Sequence, residues 1–318
     1  MKKGYIYVFL TTIIFSTMEI ALKLVSGAFN PIQITFTRFF IGGLFLIPFA
    51  LNTLRKKHSS ISMHDLCYFA FLGLLGTVVS MGLYQLAVLN TQASVVAVLF
   101  SSNPVFVTIL AFFLLKEAIH KNNIIALILE VIGIVIIINP LNEKLSILGV
   151  TLTIVSTLIF ALYGVSGKKE CAKYGGIVVT CFSFIFGSLE MLVLISLTHI
   201  TSIADYLSLN GLEIFSKIPL FTGYSLYTIP ITAYICIINT GVGFACYFKA
   251  MEETSAQTTS LVFFFKPILA PILALILLHE AIPFNMLIGI LFILLGSLSS
   301  ILPGLISHKK EALNTKNM

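Results

Sequence analysis

The chain has 318 residues, of which only 10% are Asp, Glu, Lys or Arg and 58% are hydrophobic. Soluble domains are about 25% charged and roughly 45–50% apolar, so this balance excludes a soluble fold, a disordered chain and a coiled coil. The composition therefore predicts an all-α integral membrane protein, with room for roughly ten helices of about 20 residues.

The formal charge of +6 does not indicate a nucleic-acid partner, because no basic stripe is interleaved with aromatic residues. Membrane proteins carry Lys and Arg on their cytoplasmic loops, which accounts for the excess. The five cysteines lie in or beside apolar runs without CxxC spacing, so they do not predict a disulfide framework.

Ten apolar runs separated by loop signals predict ten transmembrane helices. Most have 19 to 24 residues, enough to cross about 30 Å of hydrocarbon. The predicted helices are 5–25, 31–51, 66–89, 93–115 and 122–141 in the first half, and 145–165, 177–197, 229–250, 256–278 and 284–302 in the second. The fifth has a short apolar stretch that contains Glu130.

The distribution of basic residues predicts the orientation. With the N-terminus in the cytoplasm, 14 of the 19 Lys and Arg residues fall on the cytoplasmic side, 3 fall outside, and Arg38 and Lys266 lie within spans. This bias follows the positive-inside rule. We therefore expect a multi-pass protein of the plasma membrane with both termini in the cytoplasm.

The two halves of the chain are related by an internal repeat. A shift of 163 residues aligns Tyr84 with Tyr247, and a shift of 145 aligns Lys23 with Lys168. The longer shift also aligns six residues that we expect to serve the shared fold: Pro104 with Pro267, Glu117 with Glu280, and Gly133 with Gly296. Because each repeat has five helices, the second enters the membrane from the opposite side, as in many secondary transporters.

The predicted domains follow from this repeat. They are a first five-helix repeat at 1–141, a second at 142–306 with an external loop at 198–228, and a cytoplasmic tail at 307–318.

These paired Pro, Glu and Gly motifs, with the stretch from Thr35 to Phe39 in the second helix, resemble the EamA-type ten-helix branch of the drug/metabolite transporter superfamily. The resemblance implies movement of metabolites or amino acids, often efflux, with helices five and ten at the periphery. A homodimer through helices five and ten is the protein partner expected besides a small-molecule substrate and the lipid bilayer. Glu19 and Lys266 depart from the commonest pattern of the family.

Lys266 is the leading candidate for a functional residue. It lies near the middle of the ninth span, and its partner in the repeat is the uncharged Asn103. A charge at this depth costs about 2.5–3.5 kcal/mol on insertion scales. Lys266 is either a binding group for an anionic substrate or one member of a structural ion pair with a buried Glu. Both Lys266 and Asn103 precede a proline, which frees a backbone carbonyl where a helix lines a cavity.

Two further charges lie about 10 Å deep in the first two helices. Glu19 is a candidate for a substrate amine site, a protonatable coupling group or a counter-ion, and Lys23 is a competing partner at i,i+4. Arg38 belongs to the family stretch and is expected to have a structural or gating role, with a pair to Glu19 as one alternative.

The sequence indicates the roles of the remaining candidates less specifically. Glu190 lies in the outer half of its span and is expected either to pair with Lys266 or to carry a proton. Glu130 is expected to serve packing or a dimer contact. Asn239 is a candidate for lining the cavity, whereas Tyr84 and Tyr247 repeat and could simply bond neighbouring helices.

Other functional classes fit the sequence less well. The two aspartates lie in loops, no His lies in mid-span, and His279-Glu280 lacks the second His of a zinc motif, so neither an enzyme nor a metal site is predicted. No nucleotide-binding motif or other cofactor motif is present either. We therefore expect a secondary exporter of metabolites or amino acids that works by alternating access. The alternatives are an uptake carrier or facilitated-diffusion pathway for organic anions or amines, and a non-transport membrane subunit.

Overall fold

The computed structural model describes residues 2–119, 121–138, 146–263, 266–296 and 298–299. Within these residues every regular element is a helix. The predicted boundary between residues 141 and 142 and the predicted tail at 307–318 lie outside the described part of the chain.

The described residues contain eight helices that are long and apolar enough to cross a membrane. They are α1 (Lys3–Val25), α2 (Pro31–Lys57), α3 (Met63–Asn90), α4 (Ala93–Leu115), α6 (Ile147–Tyr174), α7 (Gly176–Leu197), α8 (Thr228–Glu253) and α9 (Ala256–Leu278), together with two helices whose apolar stretches are shorter, α5 (Lys121–Ile138) and α10 (Phe284–Gly296). The eight long helices agree with predicted runs, and the described structure confirms an all-helical, multi-pass membrane protein.

Helix starts follow local capping chemistry. The Asn30 side chain accepts from the Ile32 and Gln33 backbone N–H groups, and Pro31 occupies the first turn of α2. Ser62 and Asp65 form the same reciprocal capping box at α3. Such side chains satisfy N–H groups that have no partner within the helix.

Three of the long helices are interrupted near their middle. Segments of α1 end at Ser16 and restart at Met18, and segments of α4 end at Phe100 and restart at Asn103. In α9 the helix changes to a 3-10 turn at Leu261–Phe263, and an α-helical segment is described again from Lys266. Pro104 follows the restart of α4 by one residue, where a missing N–H is tolerated, and Pro267 is the second residue of the segment described from Lys266.

Close approaches between helices depend on glycine. A Cβ on Gly73 of α3 would lie 2.4 Å from the Gly187 backbone nitrogen of α7, and one on Gly289 of α10 would lie 2.6 Å from the Gly133 carbonyl oxygen of α5. Gly133 and Gly289 let α5 and α10 pack directly on each other. A dimer contact through these helices stays a prediction.

A Lys and a Glu tie helix ends together at one end of the bundle. Lys23 Nζ donates to the carbonyl oxygens of Val88 (2.8 Å) and Thr91 (2.9 Å), where α3 ends. Glu280 accepts from the backbone N–H groups of Ala93 (2.8 Å) and Ser94 (3.0 Å), where α4 begins. We call these contacts the Lys23–Glu280 clasp.

The opposite end of the bundle has the matching arrangement. Lys168 Nζ donates to the carbonyl oxygens of Met251 and Thr254, where α8 ends. Glu117 accepts from the backbone N–H of Ala256 at 3.4 Å, where α9 begins. We call these contacts the Lys168–Glu117 clasp. In both clasps a cation meets a helix C-terminus and an anion meets a helix N-terminus, as the helix dipole favours.

The expected structural role of Glu117 and Glu280 has a local basis. Each follows a residue in the left-handed region, Lys116 (φ 57°) and His279 (φ 56°), which turns the chain at the helix end. The Glu280 N–H then bonds to the Ala274 carbonyl, as the Glu117 N–H does to Ala111. This turn directs each carboxylate toward the start of a neighbouring helix.

The predicted external loop folds onto the connection between α1 and α2. It contains a short helix, Thr201–Leu209. Asn30 Nδ2 donates to the Ile214 carbonyl and Gln33 Nε2 to the Thr222 carbonyl, both at 2.7 Å. The loop therefore covers the ends of the two helices that carry Glu19 and Arg38.

Removing the two clasp carboxylates should have unequal effects. Glu280 caps two N–H groups and also accepts from Ser94 Oγ at 2.7 Å, whereas Glu117 accepts one longer bond. We expect Glu280→Ala to destabilise the protein by about 1–2 kcal/mol and Glu117→Ala by less. Thermal unfolding in detergent measures both, with exposed Glu213→Ala as the control. Equal losses at the two positions would contradict this account.

Candidate functional site

A fully buried ion pair lies between the interruptions of α1 and α9. Lys266 Nζ is 2.5 Å from Glu19 Oε1, and the two side chains are 2% and 0% exposed. The Tyr84 hydroxyl of α3 donates to the same carboxylate oxygen. The structure thus brings Lys266, Glu19 and Tyr84 together.

Aromatic rings surround the lysine. Lys266 Nζ is 4.9 Å from the ring centroid of Phe100 and 5.7 Å from that of Phe263. A desolvated cation held over the face of an aromatic ring gains about 2 kcal/mol or more from the contact. These rings continue into a buried aromatic layer whose centroids lie 5.0–6.4 Å apart and which consists of Phe15, Phe100, Phe160, Phe244 and Phe263.

The order of residues along α9 places the ion pair between the two clasps. Ala256 of the Lys168–Glu117 clasp comes first, then Phe263 of the aromatic layer, then Lys266, and Glu280 follows the helix end. At 1.5 Å per residue, the helix from Lys266 to Leu278 extends roughly 18 Å toward Glu280. The aromatic layer therefore closes the side toward the Lys168–Glu117 clasp.

A cavity lies on the other side. It has a volume of about 540 Å³ and is lined by Lys23, Thr91, Glu280 and Asn285, among others. Lys23 is one helical turn beyond Glu19 in α1. The cavity is thus adjacent to the Lys23–Glu280 clasp and to the helix that carries the buried carboxylate.

Arg38 of α2 is completely buried close to this ion pair. Its Nη1 atom lies 3.6 Å from Met18 Sδ, and its guanidinium carbon lies 4.7 Å from the Phe39 ring centroid. It interacts electrostatically with Glu19 and Tyr84. No carboxylate of the described residues lies within ion-pair distance of it.

Uncharged candidates add polar atoms around the same place. Asn239 Oδ1 accepts from Thr17 Oγ1 at 3.2 Å, and Asn103 Nδ2 donates to the Thr157 carbonyl at 3.4 Å. Several buried polar atoms have no hydrogen-bond partner in the described structure: Asn103 Oδ1, Asn239 Nδ2, Gln85 Oε1 and the Tyr247 hydroxyl. Such atoms are expensive to bury, and a bound solute could satisfy them.

Three expected contacts are not formed. Lys23 bonds to backbone carbonyls of α3 instead of to Glu19, because the unpaired carbonyls at that helix end lie within its reach. Glu190 does not pair with Lys266; it lies half-buried on α7, and Lys266 is taken by Glu19. Arg38 likewise makes no direct pair with Glu19: Oε1 of that carboxylate bonds to Lys266 and Tyr84, and its Oε2 has no hydrogen-bond partner in the described structure.

The other charges of the spans lie away from this centre. Glu130 is buried on α5, where its side chain faces Gly296 of α10, in line with the expected packing role. Lys249 forms an ion pair with Glu252 at 2.8 Å near the end of α8. Among the described residues, no group of three His, Cys, Asp or Glu side chains is arranged to hold a metal ion.

Sequence reasoning missed the interruption of α1 at Thr17, because no proline or glycine marks it. Thr17 Oγ1 contacts the Tyr234 hydroxyl at 2.8 Å and thereby links the break to α8. The partners of the clasps were also missed. Their signal was present, since Lys23 aligns with Lys168 and Glu117 with Glu280 in the repeat.

Breaking the buried ion pair should destabilise the protein strongly. We expect Lys266→Met to cost about 3–5 kcal/mol, because it leaves the Glu19 carboxylate buried without its cation. Adding Glu19→Gln should recover a large part of that loss. Lys249→Met, at the more exposed pair with Glu252, is the matched control and should cost about 0–1 kcal/mol. Thermal unfolding in detergent tests the cycle; additive losses would contradict direct coupling.

Comparison with known proteins agrees with the motifs in the sequence. The model of the EamA-like transporter family matches residues 2–139 and again residues 147–302. A Clostridium kluyveri protein named as an uncharacterized transporter is 38% identical over 306 residues, which cover 94% of this chain and 93% of its own. An Archaeoglobus fulgidus protein with the same description is 26% identical and covers 92% of this chain and 97% of its own.

The fold is also known from crystallography. A protein of known crystal structure matches 95% of this chain and 97% of its own with a TM-score of 0.69, at 16% sequence identity. This likeness shows a shared fold. The family model that matches both halves, with the 38% identical relative, shows that the chain belongs to the EamA-like transporter family.

Proposed function

We propose that the protein is a secondary transporter that exports small organic solutes, metabolites or amino acids, by alternating access around Lys266. The observation that carries the proposal is the fully buried Lys266–Glu19 ion pair at the interruptions of two membrane helices. Membership of a transporter family supports transport rather than catalysis.

The position of the ion pair favours function over a purely structural role. Burying two charges is expensive, and apolar residues of similar volume often stabilise a fold equally well. Interrupted helices at mid-membrane, with polar backbone and side chains beside them, are typical of substrate sites in secondary transporters. Partnerless polar atoms at Asn103 and Asn239 support a site that a solute completes.

Alternating access in this proposal uses two inverted five-helix repeats, at 1–141 and 142–306. The family model matches each half separately, which supports the repeat. The two clasps support it as well, because the sequence shifts of 145 and 163 residues convert one set of contacts into the other. The ten proposed membrane helices include the shorter α5 and α10.

The clasps are the proposed gates. Each ties helix ends at one face of the membrane, and the Lys266–Glu19 pair lies between them. In this conformation the aromatic layer lies on one side of the pair, and on the other side the residues of the Lys23–Glu280 clasp line a cavity of about 540 Å³. Opening one clasp while the other stays closed would expose the site to a single face.

Transport should depend on Lys266. Purified protein is reconstituted in vesicles loaded with a defined mixture of amino acids and organic acids, and efflux is followed by mass spectrometry. We expect Lys266→Met to reduce efflux of the anionic solutes about tenfold or more, since about 1.4 kcal/mol of lost binding suffices for that factor.

The control for this experiment is Lys56→Met, which removes an exposed lysine and should leave efflux unchanged. If Lys266→Met left the rate and the selectivity of efflux unchanged, the proposed role of the site would be wrong. Comparing metabolite levels inside and outside cells with and without the protein tests the direction; accumulation inside would indicate uptake instead.

The proposed location is the plasma membrane with both termini in the cytoplasm, so that the loop at 198–228 is external. In a Cys67→Ser background, a membrane-impermeant maleimide should label Asn210→Cys in intact cells. Ser60→Cys should react only after permeabilisation, because the loop after α2 carries the cytoplasmic cluster of basic residues. The reverse labelling pattern would invert the topology.

A further inference from the structure

The buried guanidinium of Arg38 has one unused edge. Its side chain is 0% exposed, and both Nε and Nη2 have no hydrogen-bond partner in the described structure. Nη1 contacts the thioether sulfur of Met18, and the guanidinium carbon lies over the Phe39 ring, but neither contact involves the N–H donors of Nε and Nη2. A guanidinium remains charged inside a protein. The N–H donors on this edge therefore belong to a buried cation and have no acceptor.

The charges around the ion pair do not balance. Glu19 contributes one negative charge, while Lys266 and Arg38 contribute two positive charges, and Glu19 Oε1 already holds Lys266. Glu190 forms no ion pair with a described residue, and Glu130 faces α10 at Gly296. The centre thus carries one positive charge in excess. A buried charge is normally paired, so one anion is lacking.

The geometry of the unused edge specifies the chemistry of that anion. Nε and Nη2 lie on the same side of the planar guanidinium, and their N–H bonds are parallel. A carboxylate presents two oxygens with the matching spacing and accepts both bonds at once. One excess charge is neutralised by a single carboxylate, whereas a dianion would leave a negative charge and an amine would add a second positive one.

We propose that Arg38 binds the carboxylate of an organic solute with a net charge of −1, through its Nε and Nη2 atoms. This inference rests on the proposed transport function and names the substrate class of the same site. The Lys266–Glu19 pair stays intact beside the bound solute, and the carboxylate supplies the charge that the apo protein lacks.

A neighbouring donor fits the same ligand. One turn after Arg38, Gly42 packs so closely on α8 that a Cβ would lie 3.0 Å from the Cys236 carbonyl oxygen. This contact brings α2 against the π-helical segment Tyr234–Val242, which carries Asn239. Asn239 Nδ2 is buried and without a partner, so it can donate to a polar group of the solute. Insertions of π-helix are frequent at functional sites.

A first experiment needs no ligand. Because Arg38 is an uncompensated cation in the apo protein, Arg38→Met should raise the midpoint of thermal unfolding in detergent by about 2–4 °C. Lys266→Met, which unpairs Glu19, should lower it. A midpoint for Arg38→Met below that of the wild type would show that Arg38 holds the fold together, and would overturn the proposal.

The second experiment uses defined probes on the full chain in lipid nanodiscs. Acetate, butyrate, hexanoate and benzoate are compared with their primary amides, with succinate and with butylamine. We expect at least one monocarboxylate to raise the unfolding midpoint in a saturable manner, while its amide does not. Arg38→Lys should weaken this binding about 10- to 100-fold, because an ammonium cannot form the paired contact. Lys56→Met should bind as the wild type does.

The results separate this inference from the function on which it rests. If efflux depends on Lys266 but the exported solute is neutral or cationic, or Arg38→Met exports it normally, the carboxylate assignment is wrong and the transport site stands. If amides stabilise the wild type as well as carboxylates do, the assignment is also wrong. If efflux is independent of Lys266, the proposed function itself fails.

Discussion

The ion pair between Lys266 and Glu19 organises the centre of this membrane protein. In a surrounding without water, each charge requires the other, and the Tyr84 hydroxyl adds a bond to the shared oxygen. Glu19 follows the interruption of α1 at Thr17, and Lys266 follows the 3-10 turn of α9 at Leu261–Phe263. The rings of Phe100 and Phe263 then pack against the lysine and exclude solvent. The ion pair, the interruptions of α1 and α9 and the aromatic layer therefore form one connected arrangement.

The two clasps also depend on electrostatic attraction, but they lie at the ends of helices instead of in the buried centre. Lys23 and Lys168 meet carbonyls where helices end, and Glu280 and Glu117 meet N–H groups where helices begin. These carbonyl and N–H groups lack partners within their own helices. A charged side chain there supplies the hydrogen-bond partner that every helix end lacks. Such contacts can be exchanged for water at the membrane face, which the central pair cannot do. That difference accords with the proposed roles of the clasps as gates and of the centre as the binding site.

The surroundings of Arg38 differ from the rest of the described structure in how well buried polar groups are satisfied. Elsewhere in the described structure, capping boxes satisfy the first N–H groups of α2 and α3, and glycines let α3 and α7 touch. At the centre, by contrast, Arg38 and Asn239 keep donors without partners. Local inconsistencies of this kind are expected at functional sites, because the missing partner belongs to the ligand.

The sequence by itself determined that this is a membrane protein and where its helices lie. It also determined the interruptions near Pro104 and Pro267 and the few charged residues within the spans. These follow from composition, run length and proline chemistry, which act over a few neighbouring residues. Only the tertiary structure decided that Lys266 meets Glu19 instead of Glu190, that Lys23 bonds to helix ends, and that Arg38 keeps a free edge. Those outcomes depend on helix rotation and depth, which packing between segments hundreds of residues apart establishes.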